Sequence, residues 1–266
     1  MSAPRLAVAL LAAAVLVLPS GAAAYAPAAS ATVTPGVMTL TAGGQCTANF
    51  VYTAGGKTYL GQAAHCSSTG AQTDTDGCES GSLPLGTRVD IGPGAASGRL
   101  AYNSWLAMQA AGETDDETCA FNDFALIEID PADVGKVNPS VPKFGGPTRV
   151  GGASRMLATV FSYGNSSLRQ GITLLSPKQG TVLSTSPGGW SRNVLTVTPG
   201  VPGDSGSGFL DAGGAAIGTL STLALLPIPG SNGVGDLGRE LAYASSHGIP
   251  GLELVPGTEP FRGSLL

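Results

Sequence analysis

Charge is scarce in this chain. Asp, Glu, Lys and Arg make up 12% of its 266 residues, with 13 cations against 18 anions. A groove for nucleic acid needs clustered Lys and Arg to neutralise phosphates, and no such cluster occurs, so nucleic acid is excluded as a partner. Aromatic residues are also few, at 6%, and there are only two histidines. No internal repeat is visible. In their place stand 40 glycines and 19 prolines, residues that interrupt helices and shape turns. This composition excludes a helical bundle and predicts short strands joined by many turns, an all-β fold.

Long apolar runs are missing too, except for residues 6–18 near the N-terminus. That run follows Arg5 and precedes Pro19-Ser20-Gly21 and Ala22-Ala23-Ala24. It is too short to span a bilayer comfortably and ends at an A-x-A site, the pattern of a secretory signal peptide cut after Ala24. A rival cut after Ala26 would leave Pro27 at the new terminus. The mature chain is therefore expected outside the cell, with no membrane segment and as a monomer. Export also places Cys46, Cys66, Cys78 and Cys119 where disulfides persist, and four cysteines allow three pairings.

Residues 25–35 are rich in Ala, Pro, Ser and Thr and read as a flexible leader or short propeptide, leaving 36–266 as the folded domain. Within it, residues 47–53 and 57–61 form a hairpin around Ala54-Gly55-Gly56. Further strands are expected near 88–91, 99–101, 124–129, 156–161, 180–183, 193–197, 208–210 and 216–220. A connection at 131–147 carries four prolines and divides a first half, about 36–130, from a second, about 148–266. Leu237, Leu241 and Ala244 share a helical face in residues 236–247, which Gly248 and Pro250 close. The acidic residues 113–117 read as a solvated loop, with calcium binding as the alternative.

The most informative stretch is Gly203-Asp204-Ser205-Gly206-Ser207-Gly208. Its glycines let the backbone turn sharply beside a serine hydroxyl, with N–H groups available to a developing oxyanion. Such a serine needs a base and an orienting carboxylate elsewhere in the chain. His65, in Gln62-Ala63-Ala64-His65-Cys66, has no second histidine or Cys-x-x-Cys nearby to make a zinc site. Asp123 lies in Phe121-Asn122-Asp123-Phe124-Ala125-Leu126, just ahead of an apolar run. Taken alone, each has a bland reading as loop, structural histidine or turn residue.

Together and in the order His65, Asp123, Ser205, these segments resemble the chymotrypsin/trypsin-like serine protease family. The resemblance implies two six-stranded antiparallel barrels with a C-terminal helix. It implies hydrolysis of protein or peptide substrates by a His-Asp-Ser triad, with the N–H groups of Gly203 and Ser205 as oxyanion hole and no metal or organic cofactor. It also implies a Cys46–Cys66 bridge, leaving Cys78 with Cys119. By the same carry-over Pro199 stands at the floor of the primary pocket and Ser221, Thr222 and Leu223 along its wall, with Leu223 narrowing the mouth. No Ile-Val-Gly-Gly-like activation site occurs near residues 30–45, so Asp204 is expected to meet a basic residue that the sequence does not single out. Two other readings compete: an α/β-hydrolase esterase using Ser205, Asp236 and His247, and a protease-fold binding module without turnover.

Overall fold

The computed structural model describes residues 25–71, 74–224 and 228–265; the signal-peptide reading of residues 1–24 lies outside them. Two antiparallel β units face each other across a cleft. The first contains β1 (Met38–Thr41), β2 (Gly44–Thr47), β3 (Val51–Ala54), β4 (Lys57–Gln62), β5 (Arg88–Ile91), β6 (Ala96–Asn103) and β7 (Ala125–Ile129). The second contains β8 (Thr159–Tyr163), β9 (Pro177–Thr185), β10 (Ser191–Thr196), β11 (Gly208–Asp211), β12 (Ala216–Leu223) and β13 (Asn232–Asp236). A last short strand, β14 (Glu253–Leu254), returns to the first unit.

The second unit is the expected closed six-stranded barrel, in the order β10-β13-β12-β11-β8-β9. Its interior is built by alternation: on β10 Arg192, Val194 and Thr196 are buried while Asn193 and Leu195 face out. The first unit differs from the expected six strands. Its sheet has eight, ordered β14-β3-β4-β7-β6-β5-β1-β2, because residues 44–47 fold back on β1 and the C-terminal tail adds an edge. The β3–β4 hairpin turns on Gly55 and Gly56, whose φ values of 55° and 77° suit the left-handed positions of a tight two-residue turn.

Three α-helices accompany the sheets among the described residues. The expected one is α3 (Leu237–His247), capped by Asp236, whose carboxylate accepts from the Arg239 N–H. The other two, α1 (Ser104–Ala111) and α2 (Asp116–Phe121), are too short to show a helical period. Asn103 caps α1 and Asp115 caps α2. The acidic run is thus no mere solvated loop: Glu113 accepts from the N–H groups of Thr114 and Asp115, and Glu117 binds Ser186 and the Gly188 N–H.

Residues 25–35, read from composition as a flexible leader or short propeptide, pack against the first unit. Val33 is fully buried with Val51, Leu60 and Ile127 in the core of the first unit and bridges to Val137. Ala26 donates to the Val137 carbonyl at 2.8 Å and accepts from Asn138 at 2.7 Å. One valine among small and polar residues has no periodicity, so its partner in the distant connection is invisible in the sequence.

The C-terminal tail packs against both units. Val255 donates to Val51, Arg262 to the Phe144 carbonyl, and Phe261 meets Phe161 edge-on at 5.6 Å in the core that joins the units. Phe261→Ala is therefore expected to cost about 2 kcal/mol, less than the roughly 3–5 kcal/mol for truncating a fully buried aromatic because the ring is only half-buried. Chemical denaturation of both proteins measures this, and an unchanged midpoint would show that the tail does not brace the core.

Candidate active site

Strand register brings the first two candidate residues together. In the β4–β7 ladder Gln62 stands opposite Ala125, so the chain leaving β4 meets the chain entering β7. His65 occupies the 3₁₀ turn just after β4, and Asp123 lies just before β7. His65 Nδ1 is 2.7 Å from Asp123 Oδ2, and the His65 backbone N–H donates to Oδ1 at 2.9 Å. Ser221 donates its hydroxyl to the same Oδ2. The imidazole is partly exposed and the carboxylate is buried.

The charges of this pair reinforce each other. Burial by itself would lower the His65 pKa, but the charge of Asp123 and its hydrogen bond outweigh it, so the imidazolium titrates above its ordinary value of 6.5. Burial would likewise raise Asp123, yet His65, Ser221 and the backbone N–H hold its carboxyl below the usual carboxylate range. Two disulfides brace the surroundings. Cys46 on β2 is joined to Cys66 beside His65, and Cys78 to Cys119 on α2, the pairing that the resemblance implies.

Ser205 stands across the cleft on the turn before β11, lining the same cavity of about 800 Å³ as His65 and Asp123. Gly203 and Gly206 have φ values of 94° and 88°, in the region that favours glycine. A Cβ on Gly206 would stand 2.5 Å from the Thr47 carbonyl oxygen, so the turn also requires hydrogen at that position. Asp204 donates its N–H to Val201 and Gly206 donates to Leu220, whereas the N–H groups of Gly203 and Ser205 donate to no group among the described residues. No hydrogen bond joins Ser205 Oγ to His65 in this arrangement.

Solved structures with the same architecture include Protease A of Thermobifida fusca, with 19% identity over 85% of this chain and 99% of that one at a TM-score of 0.57. A glutamic acid specific serine protease matches with 16% identity over 84% and 100% at 0.54, and the chymotrypsin of Cellulomonas bogoriensis with 17% over 84% and 98% at 0.52. The fold is that of the bacterial chymotrypsin-like serine proteases. No protein-family model and no curated protein sequence matches the chain.

In this chymotrypsin-like frame the basic partner of Asp204 is a pair of residues. The carboxylate is fully buried and bound by Arg169 and, at 2.9 Å, by Lys178 Nζ, with the N–H groups of Ser166 and Val201 completing its shell. Burial, reinforced by the Arg169 charge, pulls the Lys178 ammonium below its usual range despite Asp204. Neither cation stands in a motif; the fold alone selects them.

The pocket floor differs from expectation. Pro199 is exposed and does not line the cleft, because its carbonyl faces Arg169 and Lys178 underneath. Asn232 fills the inner position instead. Its Nδ2 donates to the carbonyls of Gly200 and Thr222 and its Oδ1 accepts from the Gly200 N–H, tying the two pocket walls together. Ser221, Thr222 and Leu223 line the cleft. The esterase arrangement is ruled out: Asp236 pairs with Arg192 at the start of α3, while His247 stacks on Tyr243 at its far end, and neither lines the cleft.

The buried cluster makes an asymmetric prediction. Asp204→Asn leaves two buried cations without a counter-charge and is expected to destabilise by about 3–5 kcal/mol. Arg169→Ala or Lys178→Ala leaves a neutralised pair and is expected to cost less. Thermal unfolding of the three variants checks the ranking, and an Asp204→Asn protein as stable as either alanine variant would refute it.

Proposed function

We propose that the chain is a secreted serine endopeptidase that cleaves peptide bonds through an acyl-enzyme, acting as a monomer without metal or organic cofactor. The observation that carries this reading is the His65–Asp123 pair facing, across one cleft, a serine flanked by two unused N–H donors. Ser205 Oγ attacks the carbonyl carbon as His65 Nε2 takes its proton. Asp123 accepts from Nδ1–H, fixing the tautomer and stabilising the imidazolium. The tetrahedral oxyanion lies between the N–H groups of Gly203 and Ser205. His65 then gives its proton to the leaving amine, and water repeats the sequence on the acyl-enzyme.

Selectivity follows from the pocket. The walls formed by Val201, Pro202, Ser221, Thr222 and Leu223 are uncharged, with Asp74 and Asp123 elsewhere on the same cavity, and the Asn232 amide is occupied by backbone groups. Small or medium apolar residues on the acyl side of the cut fit between such walls, whereas Lys or Arg would find no counter-charge on them. A half-exposed Leu223 narrows the mouth. A second reading, a binding protein with this fold and no turnover, draws on the absent Ser205–His65 hydrogen bond, although such contacts often tighten only when substrate binds.

Labelling with an organophosphonate that modifies only activated serines decides between the two. The endopeptidase reading expects labelling at Ser205 that is lost in His65→Ala, and Ser205→Ala or His65→Ala is expected to lower kcat/KM by at least about a thousandfold. An unlabelled, folded protein that cleaves no peptide would establish the binding module.

The pH profile has a defined sign. His65 must be neutral to act as base, so activity is expected to fall as pH drops through a pKa raised above 6.5. A rate flat across this range would exclude a histidine base. On a peptide library, Leu223→Gly is expected to admit aromatic residues that the parent protein rejects; a parental preference for Lys or Arg would overturn the pocket assignment.

A further inference from the structure

The oxyanion hole on which the proposed function depends includes a peptide bond that glycine leaves free to flip. The carbonyl of Pro202 and the N–H of Gly203 belong to one planar trans unit and point in opposite directions. Rotating that unit requires changes only in the torsions beside it. Gly203, with φ 94°, meets no Cβ penalty on either side of zero. Left alone, this peptide could turn its carbonyl toward the cleft and remove the donor.

Side chains from both units hold its surroundings. Ser166 Oγ donates to the Pro202 carbonyl at 2.5 Å and accepts from the Leu168 N–H at 3.1 Å, which commits the hydroxyl proton to Pro202. Ser166 is buried and its own N–H donates to Asp204 Oδ1 at 3.0 Å. On the neighbouring peptide, the Gly203 carbonyl accepts from Gln45 Nε2 at 2.8 Å and Thr47 Oγ1 at 2.7 Å. Gln45 Oε1 in turn accepts from the Ser167 N–H at 2.9 Å. A Cβ on Gly203 would lie 2.2 Å from Gln45 Oε1 and 2.9 Å from Ser166 Oγ, so both side chains close around this glycine.

We propose that Ser166 is the positioning residue of the oxyanion hole, holding the Pro202 carbonyl away from the cleft so that the Gly203 N–H faces the reacting carbonyl, with Gln45 securing the same segment from the first unit. Ser166 is buried and does not line the cleft. It transmits to the hole the order that Arg169 and Lys178 impose on Asp204.

The test compares Ser166→Ala, Ser166→Thr and Gln45→Ala with the parent protein, with kcat normalised to serines titrated by an organophosphonate. Ser166→Ala is expected to lower kcat about tenfold to a hundredfold, less than the roughly hundredfold to thousandfold cost of removing an oxyanion donor outright because the N–H is loosened and not lost, with KM changed less than about twofold and the pH midpoint of His65 unmoved. Affinity for a peptide boronic acid, whose oxygen occupies the hole, should fall in parallel with kcat. Ser166→Thr keeps the hydroxyl and is expected to restore most of the rate. Gln45→Ala leaves Thr47 on the Gly203 carbonyl and is expected to cost a few-fold in kcat; it carries the test if Ser166→Ala does not fold.

An unchanged kcat in Ser166→Ala, a loss confined to KM, or a Thr variant no better than Ala would overturn the inference. These outcomes are distinct from failure of the endopeptidase reading, in which the parent protein itself would show no turnover dependent on Ser205.

Discussion

Asp204 is a fully buried carboxylate next to the candidate nucleophile, and a charge in that position must be matched by charge and hydrogen bonds from the surrounding chain. Arg169 and Lys178 supply the charge, and the N–H groups of Ser166 and Val201 supply the rest. Meeting this requirement draws residues 166–169, β9 and the turn 198–204 into one arrangement. Several features of the site follow from it. The Pro199 carbonyl is drawn down to the two cations and leaves the pocket, Ser166 comes within reach of Pro202, and the turn that bears Ser205 is held from beneath.

The His65–Asp123 pair depends on a different constraint, the antiparallel register of β4 and β7. A one-residue slip in that ladder would send alternate side chains to the opposite face and would part His65 from Asp123. The Cys46–Cys66 bridge resists such a slip on the β4 side, and Cys78–Cys119 fixes α2 just ahead of Asp123. The candidate active site is thus assembled from two separately braced halves. Their alignment rests on the contacts across the cleft, among them Thr47 and Gln45 of the first unit on Gly203 of the second and Ser221 on Asp123.

Holding the two units together falls in part to segments with little regular structure. The tail crosses from β3 to Phe144 and Phe161, and the segment before β1 lays Val33 into the first core beside the connection. The tail adds apolar area to the core that the two units already share, so relative motion of the units, and with it the distance from Ser205 to His65, is restrained in part by packing far from the cleft.

Composition and motif were enough to read the all-β class, the C-terminal helix and the His65, Asp123 and Ser205 segments, because those signals are local: glycine where a turn must be sharp, an apolar run after an acid, leucines at helical spacing. The strand β14, the burial of Val33 and the anchoring of the tail had no such signature, since each depends on a partner far along the chain, while α1 and α2 have local caps but are too short to show a helical period. The same division runs through the site. Asp204 announced in sequence that a cation was needed, but any of 13 could have served. Which ones do, and that Asn232 rather than Pro199 closes the pocket, was decided by tertiary structure, because the energy of a buried charge or amide depends on what the fold brings within about 3 Å of it and not on its neighbours along the chain.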